Sequence, residues 1–180
     1  MISIRRIHLH EGWLYKRIRL ASLSDSPDAF STTLADAARR NSDSWNEQAE
    51  SSAVGVDRVT VLAFYDDEPV GFGAIYRDDQ DQEFGELIQF WVDPDHRGGL
   101  VAGKLLEWIF SWASDHGFER LMAWINTENE RAIRFYRKYG FELTDEAQSF
   151  RTGSGLVSCL LVKALTGEQD PATHGEGRLS

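Results

Sequence analysis

Residues 96–106 of the chain read HRGGLVAGKLL and follow the apolar run FWV and the turn DPD. Two adjacent glycines, Gly98 and Gly99, precede an amphipathic run, which indicates a tight turn that opens a helix. A helix that begins at such a turn presents unpaired backbone N–H groups and the positive end of its dipole to an anion. The stretch lacks the Gly-Lys-Ser/Thr ending with which a phosphate-binding loop holds a nucleotide and its magnesium. The segment therefore predicts an anion site, although ordinary turn chemistry would explain it equally well.

Outward from this turn, the hydrophobic pattern alternates between the strand period and the helix period. Strand-like runs lie at 2–7, at 59–76 as a hairpin of two strands, and at 86–92, 120–125, 141–144 and 156–165. Helical runs lie at 12–23, weakly at about 32–50, from Val101 to a stop at His116-Gly117, and at 128–139. This order predicts one α/β domain at 1–165, with a mixed, mostly antiparallel sheet of about seven strands flanked by about four helices. We expect the sheet to splay at strand 86–92 and the segment 166–180 to be a disordered tail.

The composition narrows the class of protein. A chain of 180 residues with 42% hydrophobic residues and six tryptophans can bury a substantial core. The net charge of −10 argues against a nucleic-acid partner and agrees with a cationic substrate. Apolar runs fall short of the ~20 residues that span a membrane, so no membrane partner is expected. The single cysteine, Cys159, lies in an apolar run, and this fits a reducing cytoplasm.

A second motif lies one predicted helix and one predicted strand after the glycine turn. Residues 129–141 read NERAIRFYRKYGF. Together, the two segments resemble the GNAT superfamily of acetyl-coenzyme A-dependent N-acetyltransferases. The first corresponds to that family's Arg/Gln-x-x-Gly-x-Gly/Ala pyrophosphate loop, and the order of elements over roughly 2–165 agrees with its fold. The second matches the family's Asn-x-x-Ala-x-x-x-Tyr-x-x-x-Gly-Phe signature at Asn129, Ala132, Tyr136, Gly140 and Phe141.

The resemblance implies that the anion is the pyrophosphate of acetyl-CoA, a co-substrate that needs no metal. It assigns the pyrophosphate to a loop made of Arg97, Gly98, Gly99, Leu100, Val101 and Ala102. Leu100 departs from the family, which usually has glycine at that position. If the position requires a positive φ, leucine would cost about 1–2 kcal/mol or weaken acetyl-CoA binding. Otherwise Leu100 can offer its N–H group to the phosphate with its side chain turned outward.

The family also implies two further contacts with the cofactor. Its strand before the loop usually bulges, which frees main-chain groups, here at Phe90, Trp91 and Val92, to pair with the pantetheine. The amide of Asn129 is expected to bond the cofactor as well. The alternative is that Asn129 has a structural role at the helix start, where residues 127–130 can form a capping box.

Acetyl transfer to an amine needs two groups that handle protons. An aliphatic amine of pKa near ~10.4 is mostly protonated at neutral pH, and a carboxylate can remove that proton. Glu86 lies eleven residues before Arg97, an offset similar to that of the catalytic glutamate in the family's histone-acetylating branch. The departing thiolate of coenzyme A needs a proton or a hydrogen bond, and Tyr136 occupies the family's general-acid position, where it would contact the cofactor. The alternatives are a solvated glutamate at a strand edge and a tyrosine packed in the core.

The predicted function is N-acetylation of a primary amine, on a small cationic molecule, by direct attack in a ternary complex. Acetylation of a protein N-terminus or lysine is an alternative, although Trp124 stands where the ribosomal-protein branch commonly has a glutamate. A non-catalytic module that binds acetyl-CoA is another alternative. His8 and His10 lack a third ligand, so no metal is predicted. The identity of the amine and the formation of a homodimer are left open.

Overall fold

The computed structural model describes residues 1–165, and the tail predicted at 166–180 lies outside the described residues. The strands are β1 (Ile2–Arg6), β2 (Arg58–Tyr65), β3 (Glu68–Arg77), β4 (Phe84–Val92), β5 (Arg120–Asn126), β6 (Glu142–Ser149) and β7 (Val157–Ala164). The α-helices are α1 (Gly12–Asp25), α2 (Leu34–Ala38), α3 (Ser42–Val54), α4 (Val101–Asp115) and α5 (Glu130–Lys138). Short 3-10 turns lie at Pro27–Ala29 and Pro94–His96.

The weakly patterned stretch at 32–50 forms two helices where the sequence predicted one. Thr33 caps the first, since its hydroxyl oxygen accepts a hydrogen bond from the Asp36 N–H at 3.1 Å. Asn41 caps the second in the same way, with its amide oxygen 2.8 Å from the Ser44 nitrogen. The two caps divide the stretch into α2 and α3, so the described residues contain five α-helices.

One mixed sheet contains all seven strands, in the order β1-β2-β3-β4-β5-β7-β6. The β4–β5 pair is parallel and the other pairs are antiparallel, which confirms the predicted mixed, mostly antiparallel sheet. The parallel pairing covers Phe84, Gly85 and Glu86 of β4, opposite Arg120–Met122 of β5. After Glu86 the two strands part, at the strand where the sequence predicted the sheet to splay.

Helices cover both faces of the sheet and enclose two hydrophobic clusters. Val61 and Ala63 of β2 point into a cluster with α4 and α5, while Leu62 and Phe64 point into a cluster with α1 and α3. This alternation follows from the two-residue period of a strand that is buried on both faces. The sheet thus holds α4 and α5 on one side and α1 and α3 on the other, with the splayed β4 between them.

The edge strand β6 is longer than the apolar run at 141–144 predicted. It extends to Ser149 and bulges between Leu143 and Ala147, and most of its side chains are exposed. A polar, bulged edge strand lacks the apolar alternation by which sequence reasoning recognises strands. Among residues 1–165, no helix combines the length and the apolar content needed to span a bilayer.

Candidate active site

The splayed strand β4 carries a bulge at Gln89. Ile88 pairs with Ala74 and Trp91 pairs with Phe72, so that two β4 residues lie opposite the single residue Gly73. Gln89 takes a positive φ of 58°, a strained conformation for a non-glycine residue. The Tyr15 hydroxyl of α1 donates a hydrogen bond to the Gln89 amide oxygen at 2.9 Å and fixes this side chain. The chain after Gln89 is thereby redirected toward the glycine turn.

The glycine turn leads directly into the 15-residue helix α4. Gly98 has a φ of 77°, and a Cβ atom there would point into open space. Six successive N–H groups, from Gly98 to Gly103, make no hydrogen bond within residues 1–165. This run of unpaired donors at the positive end of a long helix is the arrangement that binds phosphate.

Leu100 adopts an ordinary backbone conformation in this turn. Its φ is −85°, and 69% of its surface is exposed. The residue therefore carries no left-handed strain, so a leucine in place of glycine has no conformational cost here. Its side chain points away from the turn while its N–H group stays among the unpaired donors.

Arg97 is held by neighbours and does not extend freely toward an anion. Its Nε atom donates to the Val92 carbonyl at 2.8 Å, and its guanidinium forms an ion pair with Asp25 at the end of α1. Asp25 also accepts a hydrogen bond from the Trp91 indole at 2.9 Å. Burial pushes the pKa of Asp25 upward, but hydrogen bonds from Ser26, Trp91 and Arg97 outweigh it and hold that pKa below its ordinary value. Arg97 thus ties the turn to α1, and the backbone supplies the exposed donors.

A cleft of about 380 Å³ extends from the glycine turn along α5, and we name it the loop cleft. Nearly all of the residues that the sequence assigned to the cofactor line it, namely Phe90, Trp91, Val92, Arg97, Gly98, Gly99, Ala102, Asn129 and Tyr136. Leu100 and Val101 do not, because the first side chain is exposed and the second is buried in the core. Arg131 and Lys138 add positive charge to its wall.

Asn129 has a structural role at the start of α5, as the sequence left open, but it does not act within a capping box. It is itself the N-cap of α5, and its side-chain oxygen accepts a hydrogen bond from the Ala132 N–H at 3.2 Å. Thr127 takes no part in the cap, since its hydroxyl donates to the Val157 carbonyl. Because only the side-chain oxygen of Asn129 forms the cap, the amide N–H₂ group of this residue is available to a molecule in the loop cleft.

A smaller cavity of about 260 Å³ lies beneath the loop cleft, between the parted strands, and we name it the inner cavity. The loop cleft and the inner cavity share four lining residues: Ala29, Phe30, Phe90 and Tyr136. Both residues of the predicted catalytic pair, Glu86 and Tyr136, line the inner cavity.

Tyr136 stands at the junction of the two cavities. Its ring is 4% exposed and packs edge-on against Phe90 and Phe141, with centroid distances of 5.9 and 5.2 Å. Burial raises the pKa of the phenol well above its ordinary value. The hydroxyl makes no hydrogen bond within residues 1–165. A neutral, unpaired O–H donor is therefore present where the contents of the two cavities would meet.

Glu86 lies at the last paired position before β4 and β5 part. The side chain is half-buried, and burial, followed by the nearby charge of Asp78, raises its pKa above the ordinary value of a glutamate. Such a shift brings a carboxylate closer to the range in which it accepts a proton efficiently at neutral pH.

The acidic residues that precede Glu86 serve two purposes. Asp78 and Asp79 line an outer depression of about 450 Å³ that Glu86 also borders. Asp78 additionally accepts backbone N–H groups of its own loop, and Asp81 accepts the Glu83 N–H at 3.0 Å. Part of the acidic stretch therefore shapes the loop, and part of it faces the approach to Glu86.

Sequence reasoning missed several residues that build the site. Gln89 and Asp25 hold the bulge and the turn, and Asn126 ties β5 to the 3-10 turn by donating to the Asp28 carbonyl at 3.0 Å. Arg19 lines the inner cavity from α1. The sequence could have indicated that Arg19 is buried, because it lies four residues after Tyr15 and four before Leu23, on the apolar stripe of a helix.

The parallel strands β4 and β5 part within the open sheet, and the glycine turn and the start of α4 lie where they part. These features define the fold class. The model of the acetyltransferase (GNAT) family matches residues 21–141. The chain therefore belongs to this family. Among solved structures, yncA of Salmonella typhimurium, solved with its cofactor acetyl-CoA, is similar with a TM-score of 0.77 and 18% identity, over 95% of this chain and 98% of that one.

Curated proteins similar to the chain include an uncharacterized N-acetyltransferase of Mycobacterium bovis, 33% identical over 98 residues. That alignment covers 54% of this chain and 60% of the relative, so the chain spans less than two thirds of the relative's length. The peptidyl-lysine N-acetyltransferase YjaB of Escherichia coli is 34% identical over 82 residues, which make up 46% of this chain and 48% of that protein.

Proposed function

We propose that the protein transfers the acetyl group of acetyl-CoA to a primary amine of a small molecule, by direct attack within a ternary complex. The observation that carries the proposal is the position of Tyr136, whose unpaired hydroxyl lies where the loop cleft meets the inner cavity. One cavity would hold the donor and the other the acceptor. Residues 1–165 would form an N-acetyltransferase domain.

The loop cleft would hold acetyl-CoA mainly through the backbone. The unpaired N–H groups from Gly98 to Gly103 would bind the pyrophosphate, and Arg131 and Lys138 would add attraction at longer range. Main-chain groups of Phe90 to Val92, which follow the bulge, would pair with the pantetheine and donate to the oxyanion of the tetrahedral intermediate. The cofactor found in yncA, which has the same fold, supports this choice.

Glu86 would act on the acceptor, which arrives mostly as an ammonium cation. Its carboxylate would take a proton from the ammonium group, directly or through a water molecule, and the acidic side chains outside it would favour capture of the cation. The free amine nitrogen would then attack the thioester carbonyl carbon.

Tyr136 would act on the leaving group. As the C–S bond breaks, its hydroxyl would donate a hydrogen bond and then a proton to the departing thiolate. As the intermediate collapses, the attacking nitrogen would release its second proton to solvent. Solvent would also take the proton from Glu86 and return one proton to Tyr136, so that one proton is released in each turnover and the enzyme is restored. Cys159, whose pKa is raised by burial, lies outside both cavities, which supports transfer without an acyl-enzyme intermediate. This single free cysteine also supports a cytoplasmic location.

A second candidate acceptor is a lysine of another protein, and the relation to YjaB favours it. A non-catalytic module is less well supported, because Glu86 and Tyr136 both line the inner cavity. Release of CoA thiol, measured with polyamines, amino acids, aminoglycosides and peptides, tests all three readings. We expect turnover with a small amine that is strongly reduced in Tyr136→Phe. Tight acetyl-CoA binding with no turnover on any acceptor would instead favour the non-catalytic module.

A further inference from the structure

Arg19 is a buried cation in the wall of the inner cavity. It is 5% exposed, and its Nη1 atom is fully buried with no hydrogen-bond partner. Within residues 1–165 the guanidinium makes no side-chain hydrogen bond and no ion pair, and its Cζ atom lies over the Phe30 ring, 4.6 Å from the ring centroid. Both residues line the inner cavity.

Other partly buried arginines of this chain are satisfied. Arg5 is paired with Glu11, Arg97 with Asp25, and Arg6 donates to three backbone carbonyls. Buried guanidinium groups are nearly always paired, since leaving one unpaired in a low dielectric is costly. Burial lowers the pKa of Arg19, and this effect outweighs the nearby Tyr15, which raises the pKa, while the positive charge of Arg40 lowers it. Arg19 therefore differs from the chain's own pattern at the place where a ligand would enter.

Among the described residues, Glu86 is the other charged side chain in the wall of the inner cavity. It forms no ion pair with Arg19. The cavity thus presents one separate carboxylate and one separate guanidinium. A molecule that carries both an ammonium group and an anion would satisfy the two together.

We propose that Arg19 binds a carboxylate of the acceptor, so that the acceptor is a small amino acid or another primary amine that carries a carboxylate. This inference rests on the proposed function, in which Glu86 faces the ammonium group. Arg19 would be a specificity-determining residue on the opposite side of the acceptor. A guanidinium binds a carboxylate through two parallel hydrogen bonds, which would also orient the amine for attack.

The size and charge of the inner cavity separate this acceptor from others. Its volume of about 260 Å³ lies below the ~300–1,000 Å³ typical of pockets for drug-sized ligands. A polyamine would place a second cation near Arg19, and a protein lysine would offer it no carboxylate. The hydroxyls of Ser31 and Thr32 remain for further polar groups of a small acceptor.

The first experiment compares matched acceptors on the wild-type protein. Thiol release is measured with alanine, methionine and phenylalanine, and with the amide of each amino acid. We expect kcat/KM to be at least about tenfold higher for the acids, as for a lost hydrogen bond to a charged group. The amine of each amide is less basic than that of the acid, so a larger fraction of it is unprotonated and ready to attack. This difference favours the amide and works against the expected result.

The second experiment uses Arg19→Met, with Arg17→Met as the matched control. Arg17 lies two residues away on α1 and is exposed in an ion pair with Glu68. Arg19→Met is expected to lose the preference for acids mainly through a higher KM, with acetyl-CoA affinity and thermal stability no lower than in the wild type. Arg19→Lys should recover part of the preference, and Arg17→Met should keep all of it. A merely structural Arg19 would instead lower stability and reduce turnover of acids and amides alike.

A calorimetric titration of the CoA-saturated protein with alanine, methionine and phenylalanine separates this inference from the proposed function. If these acids bind the wild type but not Arg19→Met, without any turnover, the inference stands and the proposed function fails. If amides or polyamines are acetylated as well as acids, and Arg19→Met does not change this, the inference is overturned while acetyl transfer stands. Absence of both binding and turnover with the acids also overturns the inference.

Discussion

The loop cleft and the inner cavity are built in different ways. The loop cleft takes its donors from one continuous segment, the N–H groups of Gly98 to Gly103, and its other wall from α5. The inner cavity takes single side chains from distant parts of the chain, including Arg19, Phe30, Glu86 and Gln148. A backbone site depends on local conformation, so it leaves a readable motif in the sequence. A site whose side chains come from distant parts of the sheet leaves no such motif. Relatives that share one fold can therefore differ at this site and accept different acceptors.

Replacing Tyr136 tests whether the two cavities work as one site, and it has the largest expected effect. Tyr136→Phe removes the hydroxyl at the junction while keeping the ring that packs on Phe90 and Phe141. We expect kcat to fall by about 10²-fold, the lower end for general acid catalysis, with little change in the KM for acetyl-CoA. Steady-state thiol release measures both. Unchanged turnover would mean that the leaving thiolate takes its proton from solvent or from another group.

Replacing Glu86 tests the chemistry of the inner cavity alone. Glu86→Gln should lower kcat/KM by at least about tenfold at pH 7 and by much less near pH 9.5, where free amine is plentiful. The wild type should lose activity as pH falls through the raised pKa of Glu86, because protonation removes the base. A variant whose pH profile matches the wild type would exclude Glu86 as the base.

Stability provides the control for this variant. A glutamate whose pKa is raised in the folded state binds more protons folded than unfolded, so its burial lowers stability as pH rises through that pKa. Glu86→Gln should therefore be at least as stable as the wild type at pH 7 by thermal denaturation. If Glu86→Gln lost activity and also had a lower melting temperature, the loss would not support the assignment of Glu86 as the base.

A pair of glycine variants tests the backbone nature of the loop cleft. Gly98 and Gly117 lie just outside opposite ends of α4, both have a φ of 77°, and a Cβ atom at either would meet open space. Alanine at each position should cost a similar ~1 kcal/mol of stability. We expect only Gly98→Ala to weaken acetyl-CoA binding, by about fivefold in calorimetry. Equal binding by the two variants would contradict a phosphate site in this turn.

Leu100→Gly carries the smallest expected effect. Because Leu100 has a φ of −85° and an exposed side chain, glycine should change acetyl-CoA affinity by less than about twofold. The same titration measures it. A large loss would show that the leucine side chain packs on the cofactor.

The fold was largely predictable from the sequence, because the strands from Arg58 to Val92 and the stripe of α4 have clear periods. The division of 32–50 into two helices and the length of β6 were not, since polar segments lack such periods. In the site, paired motifs indicated the turn, Tyr136 and Asn129. Gln89, Asp25 and Arg19 depend on contacts between residues more than 60 positions apart or on burial, and sequence spacing contains neither.

A rapid-quench experiment tests the central claim, that the two cavities join a donor and an acceptor for direct transfer. The protein is mixed with acetyl-CoA labelled in its acetyl group and with an amine that supports turnover. The label is then followed on CoA, protein and amine. The account predicts that label passes from CoA to the amine without accumulating on the protein, and that Tyr136→Phe slows this passage. Label that gathers covalently on the protein before it reaches the amine would contradict it.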